Sequence, residues 1–262
     1  MVERNEVRGV GAMLIDSHCH LDMLDGDRLG MDVGQILEAA KEQGVEKVIA
    51  IGVDLVKASR VIDLARQYPQ VSASFGLHPS ESAKVEPSEE DYMINAANPN
   101  VVAIGEMGLD YYYDFTDVAL QQERFRRQIR VAREVKKPII IHTRSAKVDT
   151  LNIMREERAY DVGGVMHCFT EDFDMAKQAM DLGFYISFSG IVTFKKAENV
   201  REVALQVPVE RMLVETDAPY LTPVPKRGKP NQPAHVKYVA DILADFKKIP
   251  KDLFYEKTLL NT

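Results

Sequence analysis

Cysteine is scarce in this sequence: 262 residues contain only Cys19 and Cys168. Neither belongs to a C-x-x-C pair, so no disulfide framework can be read, and so few thiols in a long chain fit a reducing cytoplasm. The first twelve residues mix charges of both signs and lack the apolar stretch of a signal peptide, which adds to the cytoplasmic expectation. No apolar run approaches the ~20 residues of a membrane span, and no membrane partner is expected. Basic charge is not in excess either, since the net charge is −7. That excludes a protein that coats nucleic acid through a broad basic face, but not an enzyme that engages a few phosphates in a cleft. A glycine-rich phosphate loop after the first strand is also missing. An open doubly wound sheet would want one there, and the chain has His18-Cys19-His20 instead.

What is present is a repeated alternation of apolar β-rich runs with amphipathic helical stretches. Strands are expected at 13–16, 47–52, 71–76, 101–105, 139–142, 164–167, 184–189 and 212–215. Helices are expected at 32–43, 58–67, 118–136, 148–157, 173–182, 197–206 and 233–247, with a helical or irregular stretch around Pro87. Strands apolar on both faces are those of a parallel sheet buried on both sides. Eight such repeats predict an α/β fold, a (β/α)8 TIM barrel. Hydrophobic residues at 45% suffice for its core. Residues 1–12 read as a loose lead-in and 13–262 as one domain, expected to be a monomer.

Five of the six histidines, His18, His20, His78, His142 and His167, fall at or just past the C-terminal end of an expected strand. Asp16, Glu106, Asp110, Glu215 and Asp217 join them, and in a barrel all these ends meet on one rim. His18 and His20 are two apart on a strand, so both imidazoles point to one face. Each taken alone has a bland reading: rim histidines bonded to backbone, a loop carboxylate, satisfied core histidines. Together, His18, His20, Glu106, His142, His167 and Asp217 suit two divalent cations sharing one carboxylate, with Mg, Mn or Zn as candidates. Asp217 is also placed to take a proton from an attacking, metal-activated water. Glu215 is placed behind the ligands or in the rim network. After Asp217 comes a loop carrying Lys226, Arg227 and Lys229, and Arg144 lies two residues past His142. These cations suit phosphate oxygens, although a basic loop is more often simply solvated. Tyr111, Tyr112 and Tyr113 are either a stacking surface for bases or packing against the next helix.

The segments IDSHCHLD, FGLHPS, AIGEMGLDYYYD, PIIIHTR, VMHCF, FYISFSGIVTF and LVETDAPYLTPVPKRGKPNQP run in order from about residue 14 to 233. In this the sequence resembles the TatD-type metal-dependent deoxyribonucleases. The resemblance implies a TIM-like barrel, a binuclear metal centre and hydrolysis of DNA phosphodiesters, often from the 3′ end. It places the ligands on His18, His20, Glu106, His142, His167 and Asp217, with Glu106 bridging, and puts His78 near the scissile group. Met107 stands where the family usually has threonine, and Glu171 where it usually has glycine. The loop reads PKRGKPNQP rather than PHRGKRNEP, and the chain ends before the family's usual short last helix. The Glu171 change is expected to alter substrate contact near the sixth strand.

The substrate expectation is therefore single-stranded DNA, with RNA as the alternative strand. A different hydrolase remains open, because a barrel with these ligands also suits another ester or an amide, such as D-aminoacyl-tRNA. A metal-binding scaffold without turnover is the third reading.

Overall fold

The apolar runs become eight parallel strands in the computed structural model, which describes residues 13–81, 86–113 and 116–262. They are β1 Leu14–Cys19, β2 Val45–Ala50, β3 Val71–Phe75, β4 Val101–Asp110, β5 Ile139–Arg144, β6 Gly164–Met166, β7 Phe184–Phe188 and β8 Met212–Val214. The strands pair in chain order from β1 to β8. The helices are α1 Gly26–Leu29, α2 Val33–Glu42, α3 Leu55–Gln67, α4 Glu89–Ala97, α5 Val118–Val135, α6 Lys147–Glu156, α7 Phe173–Asp181, α8 Glu198–Gln206, α9 Val236–Lys247 and α10 Lys251–Asn261. Five of the longer helices start on a side-chain cap: Asp32, Asp54, Ser88, Asp117 and Asp172 each accept a backbone N–H three residues on. Each cap is worth ~1 kcal/mol and fixes where a loop ends and a helix begins. The expected lead-in 1–12 lies outside the described residues.

Several expectations need correction. β4 continues to Asp110 rather than stopping at Gly105, so Glu106 stands inside a strand. The stretch after Pro87 is a helix, α4, capped by Ser88. Pro233–His235 is a 3-10 turn, and α9 starts only at Val236. A further helix not expected from the sequence, α10, follows α9 and packs on β1 and β8. Met107 is fully buried next to Glu106. Its threonine-to-methionine departure is therefore a core change.

β1 and β8 meet without an extended ladder. Asp217 N donates to His18 O and His20 N to Ala218 O, just past the end of β8. Below that, side chains join the strands: Ser17 Oγ donates to Val214 O at 2.9 Å, and the Asp16 carboxylate accepts from Thr216 N at 2.8 Å and Thr216 Oγ1 at 2.6 Å. Burial pushes the Asp16 carboxyl up to about 8 in spite of these bonds.

α5 carries a buried polar stripe. Gln121, Arg124 and Gln128 are spaced i, i+3, i+7, so they share the helix face that packs on the barrel. Gln121 Oε1 accepts from Asp110 N at 2.8 Å and its Nε2 donates to Asp110 O at 3.0 Å. Gln128 does the same to Leu77, at 2.7 and 3.1 Å. Arg124 is paired with Glu86 and donates to Glu81 O. One helix face thus fixes the backbone at Asp110 and the backbone next to His78.

Gly108 lets β4 pass β5. Its φ is +137°, and an added Cβ would lie 1.9 Å from His142 O. Gly108→Ala is expected to destabilise the fold by ~3 kcal/mol or more through backbone strain and a clash with main chain that cannot move aside. Urea unfolding checks this, and a loss below ~1 kcal/mol, the range of a neutral surface change, would contradict the account.

Candidate metal centre

Glu106 is the hub of the rim. Its Oε2 faces His18 Nε2 at 3.3 Å and His20 Nε2 at 3.9 Å. Its Oε1 faces His142 Nδ1 and His167 Nε2, both at 3.2 Å, and His78 Nε2 at 3.4 Å. Asp217 Oδ1 joins the first set, 3.3 Å from His20 and 3.6 Å from His18. Five imidazoles and two carboxylates from β1, β3, β4, β5, β6 and β8 therefore converge on the C-terminal rim. All six sequence-derived ligand candidates are in this cluster. His78, expected beside the scissile group, stands as close to Glu106 as the others and forms a potential cation-holding trio with Glu106 and His142.

The strand period explains the first pair: His18 and His20 reach the site, their rings 5.1 Å apart, while Cys19 between them is buried on the other side. Asp217 is presented by a turn with φ +54°. Asn231, fully buried, holds both ends of that turn by donating to Thr216 O at 3.0 Å and Tyr220 O at 2.5 Å, and its Oδ1 pairs with His235 Nδ1 at 3.0 Å. His235, the one histidine not at a strand end, thus supports the site from outside it.

Carboxylates stand behind two of the imidazoles. Asp110 Oδ2 lies 2.9 Å from His142 Nε2, which leaves Nδ1 for the centre. Glu215 Oε1 lies 2.8 Å from His167 Nδ1 without an aligned hydrogen bond, and with His18 these two form another potential cation-holding trio. A carboxylate behind a ligating imidazole fixes its tautomer and raises its basicity.

These residues fit divalent cations. Both ring nitrogens of His18 and Nδ1 of His20 are buried, and among the described residues they have no aligned hydrogen-bond partner. His18 also stacks on His167 at 3.6 Å between centroids, an arrangement that disfavours protonating both rings. Buried, unprotonated nitrogens aimed at shared carboxylate oxygens are what a cation needs.

Burial alone would raise the Glu106 carboxyl, but His167, His78 and His18 hold it well below the usual carboxylate range. Asp217 is likewise held down, chiefly by His20, against its burial. Burial pulls every imidazole down. It prevails at His18, helped by His167, and at His78. The carboxylates overcome it at His20 through Asp217, at His142 through Asp110 and Glu106, and at His167 through Glu215 and Glu106. The pH dependence of the metal-free protein follows. A carboxylate with a depressed pKa stabilises the fold above its unfolded value and loses that contribution as pH falls through the folded one. An imidazole with a raised pKa stabilises below its unfolded value and loses that contribution as pH rises through the folded one. Both contributions are whole only between ~4.3 and ~6.5, the unperturbed values; His18 and His78, lowered by burial, add stability as pH rises towards ~6.5, and Asp16, raised by burial, opposes them over the same range. Cation binding must displace the imidazole protons, so it strengthens as pH rises out of that window. Thermal melts against pH, with and without chelator, check this. The chelated protein is expected to melt highest inside the window and the cation-loaded one above it, and parallel profiles would contradict the account.

The cluster forms one wall of an open cavity of about 700 Å³. Arg144 and Tyr113 line one side of it, and Lys57, Ser80 and Glu81 another. Lys57, at the start of α3, was not singled out in the sequence. It is bound to Asp54 and Glu81 at 3.1 and 3.2 Å, and the only hint of its place is that it follows the end of β2. The basic loop behaves differently from expectation. Arg227 stacks on Phe194 at 4.1 Å and donates to Thr222 O, Lys226 sits over Tyr238, and Lys229 is exposed, so none of the three lines the cavity. Thr170 lines it, but Glu171 does not.

Eight parallel strands joined in chain order, with histidines and carboxylates gathered at their C-terminal rim, define a TIM-barrel hydrolase that works with metal. The family model described as TatD related DNase matches residues 15–262, and the chain belongs to that family. It is 49% identical over 237 residues to the metal-dependent hydrolase YcfH of Escherichia coli K12, covering 90% of this chain and 89% of the relative. It is 32% identical over 227 residues to the 3′-5′ ssDNA/RNA exonuclease TatD of Salmonella typhimurium, covering 84% and 87%. The crystal structure of YjjV, a TatD homologue from E. coli K12, superposes with a TM-score of 0.87 at 29% identity over 96% of both chains. Among the described residues no helix is long and apolar enough to cross a membrane.

Proposed function

We propose that the protein hydrolyses phosphodiester bonds of single-stranded DNA from the 3′ end, with two divalent cations of the Mg, Mn or Zn class that His18, His20, Glu106, His142, His167 and Asp217 would hold. The observation that carries the two-cation reading is the division of the Glu106 carboxylate. One oxygen faces His18 and His20, with Asp217 beside them, and the other faces His78, His142 and His167. Bound there, such cations supply an activated water and neutralise charge on the phosphate.

The chain's own groups do the rest. Asp217, held ionised, accepts the proton of the attacking water at a carboxylate oxygen. Asp110 keeps His142 in one tautomer and orientation, and the Glu215 carboxylate lies beside His167 Nδ1. His78 closes the centre from the β3 side, where Ser80 holds its Nδ1 at 2.7 Å. Arg144 offers N–H donors to phosphate oxygens at the cavity wall, and Arg227 and Lys229 meet the strand outside it. The activity in the name of the Salmonella relative supports the choice of a single strand and a 3′ end.

The test is a time course on 3′- and 5′-labelled single-stranded DNA with Mg²⁺ or Mn²⁺. Stepwise loss of the 3′ label, stopped by chelator, is expected. DNA left intact by cation-loaded protein would overturn the proposal and turn attention to esters and amides, D-aminoacyl-tRNA first.

A further inference from the structure

Just outside the metal cluster, Arg144 lies flat on an exposed tyrosine. Its Cζ is 3.7 Å from the centroid of the Tyr112 ring and 5.0 Å from that of Tyr113. The two tyrosine rings meet edge to face at 4.9 Å. Tyr112 is 61% exposed and Tyr113 43%.

The arrangement is built rather than incidental. Asp110 Oδ1 accepts from Tyr112 N at 3.0 Å and Tyr113 N at 3.3 Å, which fixes the turn. The same carboxylate orients His142 through its other oxygen. Tyr111 N donates to Arg144 O, tying β4 to β5 at this point. The Tyr111 hydroxyl is bonded to Asp149 and Gln122, so that ring is packing and not part of the exposed surface.

Charge gives the arrangement a direction. Lys57, the other cation lining the cavity, is neutralised by Asp54 and Glu81. Arg144, by contrast, has no carboxylate within 4.0 Å among the described residues. A guanidinium with its face on a ring keeps its in-plane N–H edge for an acceptor, and its fork matches phosphate oxygens. An arginine with no carboxylate beside it among the described residues, next to exposed aromatic surface in a chain of net charge −7, has the two parts needed for a nucleotide: a donor edge for phosphate and a ring for the base.

We infer that Arg144 and Tyr112, supported by Tyr113, form a nucleotide subsite next to the metal centre. It takes the phosphate and base of the residue neighbouring the scissile bond in a single strand. The inference rests on the phosphodiesterase reading above and adds to it the origin of the preference for a polynucleotide over a small diester.

The experiment compares KM for a single-stranded oligonucleotide with KM for dimethyl phosphate, a diester with no ring to stack. In Arg144→Gln and in Tyr112→Leu, the ratio of oligonucleotide KM to small-diester KM is expected to rise by ~5- to 100-fold, the range of one lost stacking contact. Tyr112→Phe keeps the ring and is expected to keep the ratio within about twofold, on the same stacking argument. In Arg144→Gln the slope of log affinity against log salt is expected to shrink by ~0.7, one phosphate contact on a single strand. Equal shifts on both substrates, or no shift in the ratio, would overturn the subsite. Failure of the phosphodiesterase reading looks different: wild type then cuts neither diester. In that case fluorescence anisotropy of a 3′-labelled oligonucleotide still decides the subsite, which is refuted if wild type and both variants bind alike.

Discussion

Glu106→Gln is expected to lower turnover by ~10²–10³-fold or more, the cost of removing one preorganised electrostatic group at a reacting centre. Glutamine matches the carboxylate in size, so the packing around this fully enclosed side chain is preserved. What changes is charge and donor character. An amide presents N–H to imidazoles that face Glu106 from both sides at 3.2–3.9 Å, and it removes the anion that keeps His142 and His167 basic. Both halves of the centre lose their shared oxygen donor at once. The measurement is kcat at saturating cation, with circular dichroism to show the barrel intact and metal analysis to show reduced loading. Activity within tenfold of wild type in a folded variant would remove Glu106 from the hub.

Asp217→Asn is expected to cost ~10²–10⁴-fold in kcat, the usual contribution of a general base. Asparagine tolerates the left-handed conformation that residue 217 adopts, and the turn around it is held by the backbone bonds to His18 O and from Tyr220 N. The substitution therefore isolates the carboxylate. Two roles separate cleanly. If Asp217 only holds a cation, raising the cation concentration restores the rate. If it also takes the proton, loading recovers and the rate does not, and the acid limb of the pH–rate profile loses the inflection belonging to this carboxylate. Full recovery at high cation would refute the proton-accepting role.

The fold is legible because the strands are apolar runs, and six of the eight end in site chemistry. His142 closes PIII and His167 follows VM, so period and position placed them without knowledge of any neighbour. The sequence puts Glu106 at a strand end, whereas Gly105 and Gly108 let β4 continue past β5 and carry it inward. Two kinds of residue were hidden. Gln121 and Gln128 look like ordinary helix polars, and only the packing of α5 reveals that their i, i+7 face is buried against Leu77 and Asp110. Arg227 and Lys229 follow Asp217 in sequence, but neighbourhood along the chain does not set direction. The pull of the Phe194 ring and the Thr222 carbonyl turns Arg227 onto its own loop. Arg144, chosen for its distance from His142, does line the cavity. The aromatic ring that orients it came from the tyrosine run, whose first member proved to be packing.

The seam between β1 and β8 makes the barrel a band with a clasp. Seven junctions are ladders of main chain, and the eighth depends on a few side chains and two backbone bonds near residues 18–20 and 217–218. His18, His20 and Asp217 sit on the two halves of that clasp. If they share one cation, the ion fastens the first strand to the last and closes a loop that takes in most of the chain, from residue 18 to residue 217 of 262. Cross-links of that span restrict the unfolded chain most, because the entropy of closure grows with loop length. Loading would then govern whether the ring stays shut, and a protein deprived of its ions should begin to open at the very edge where it would bind them.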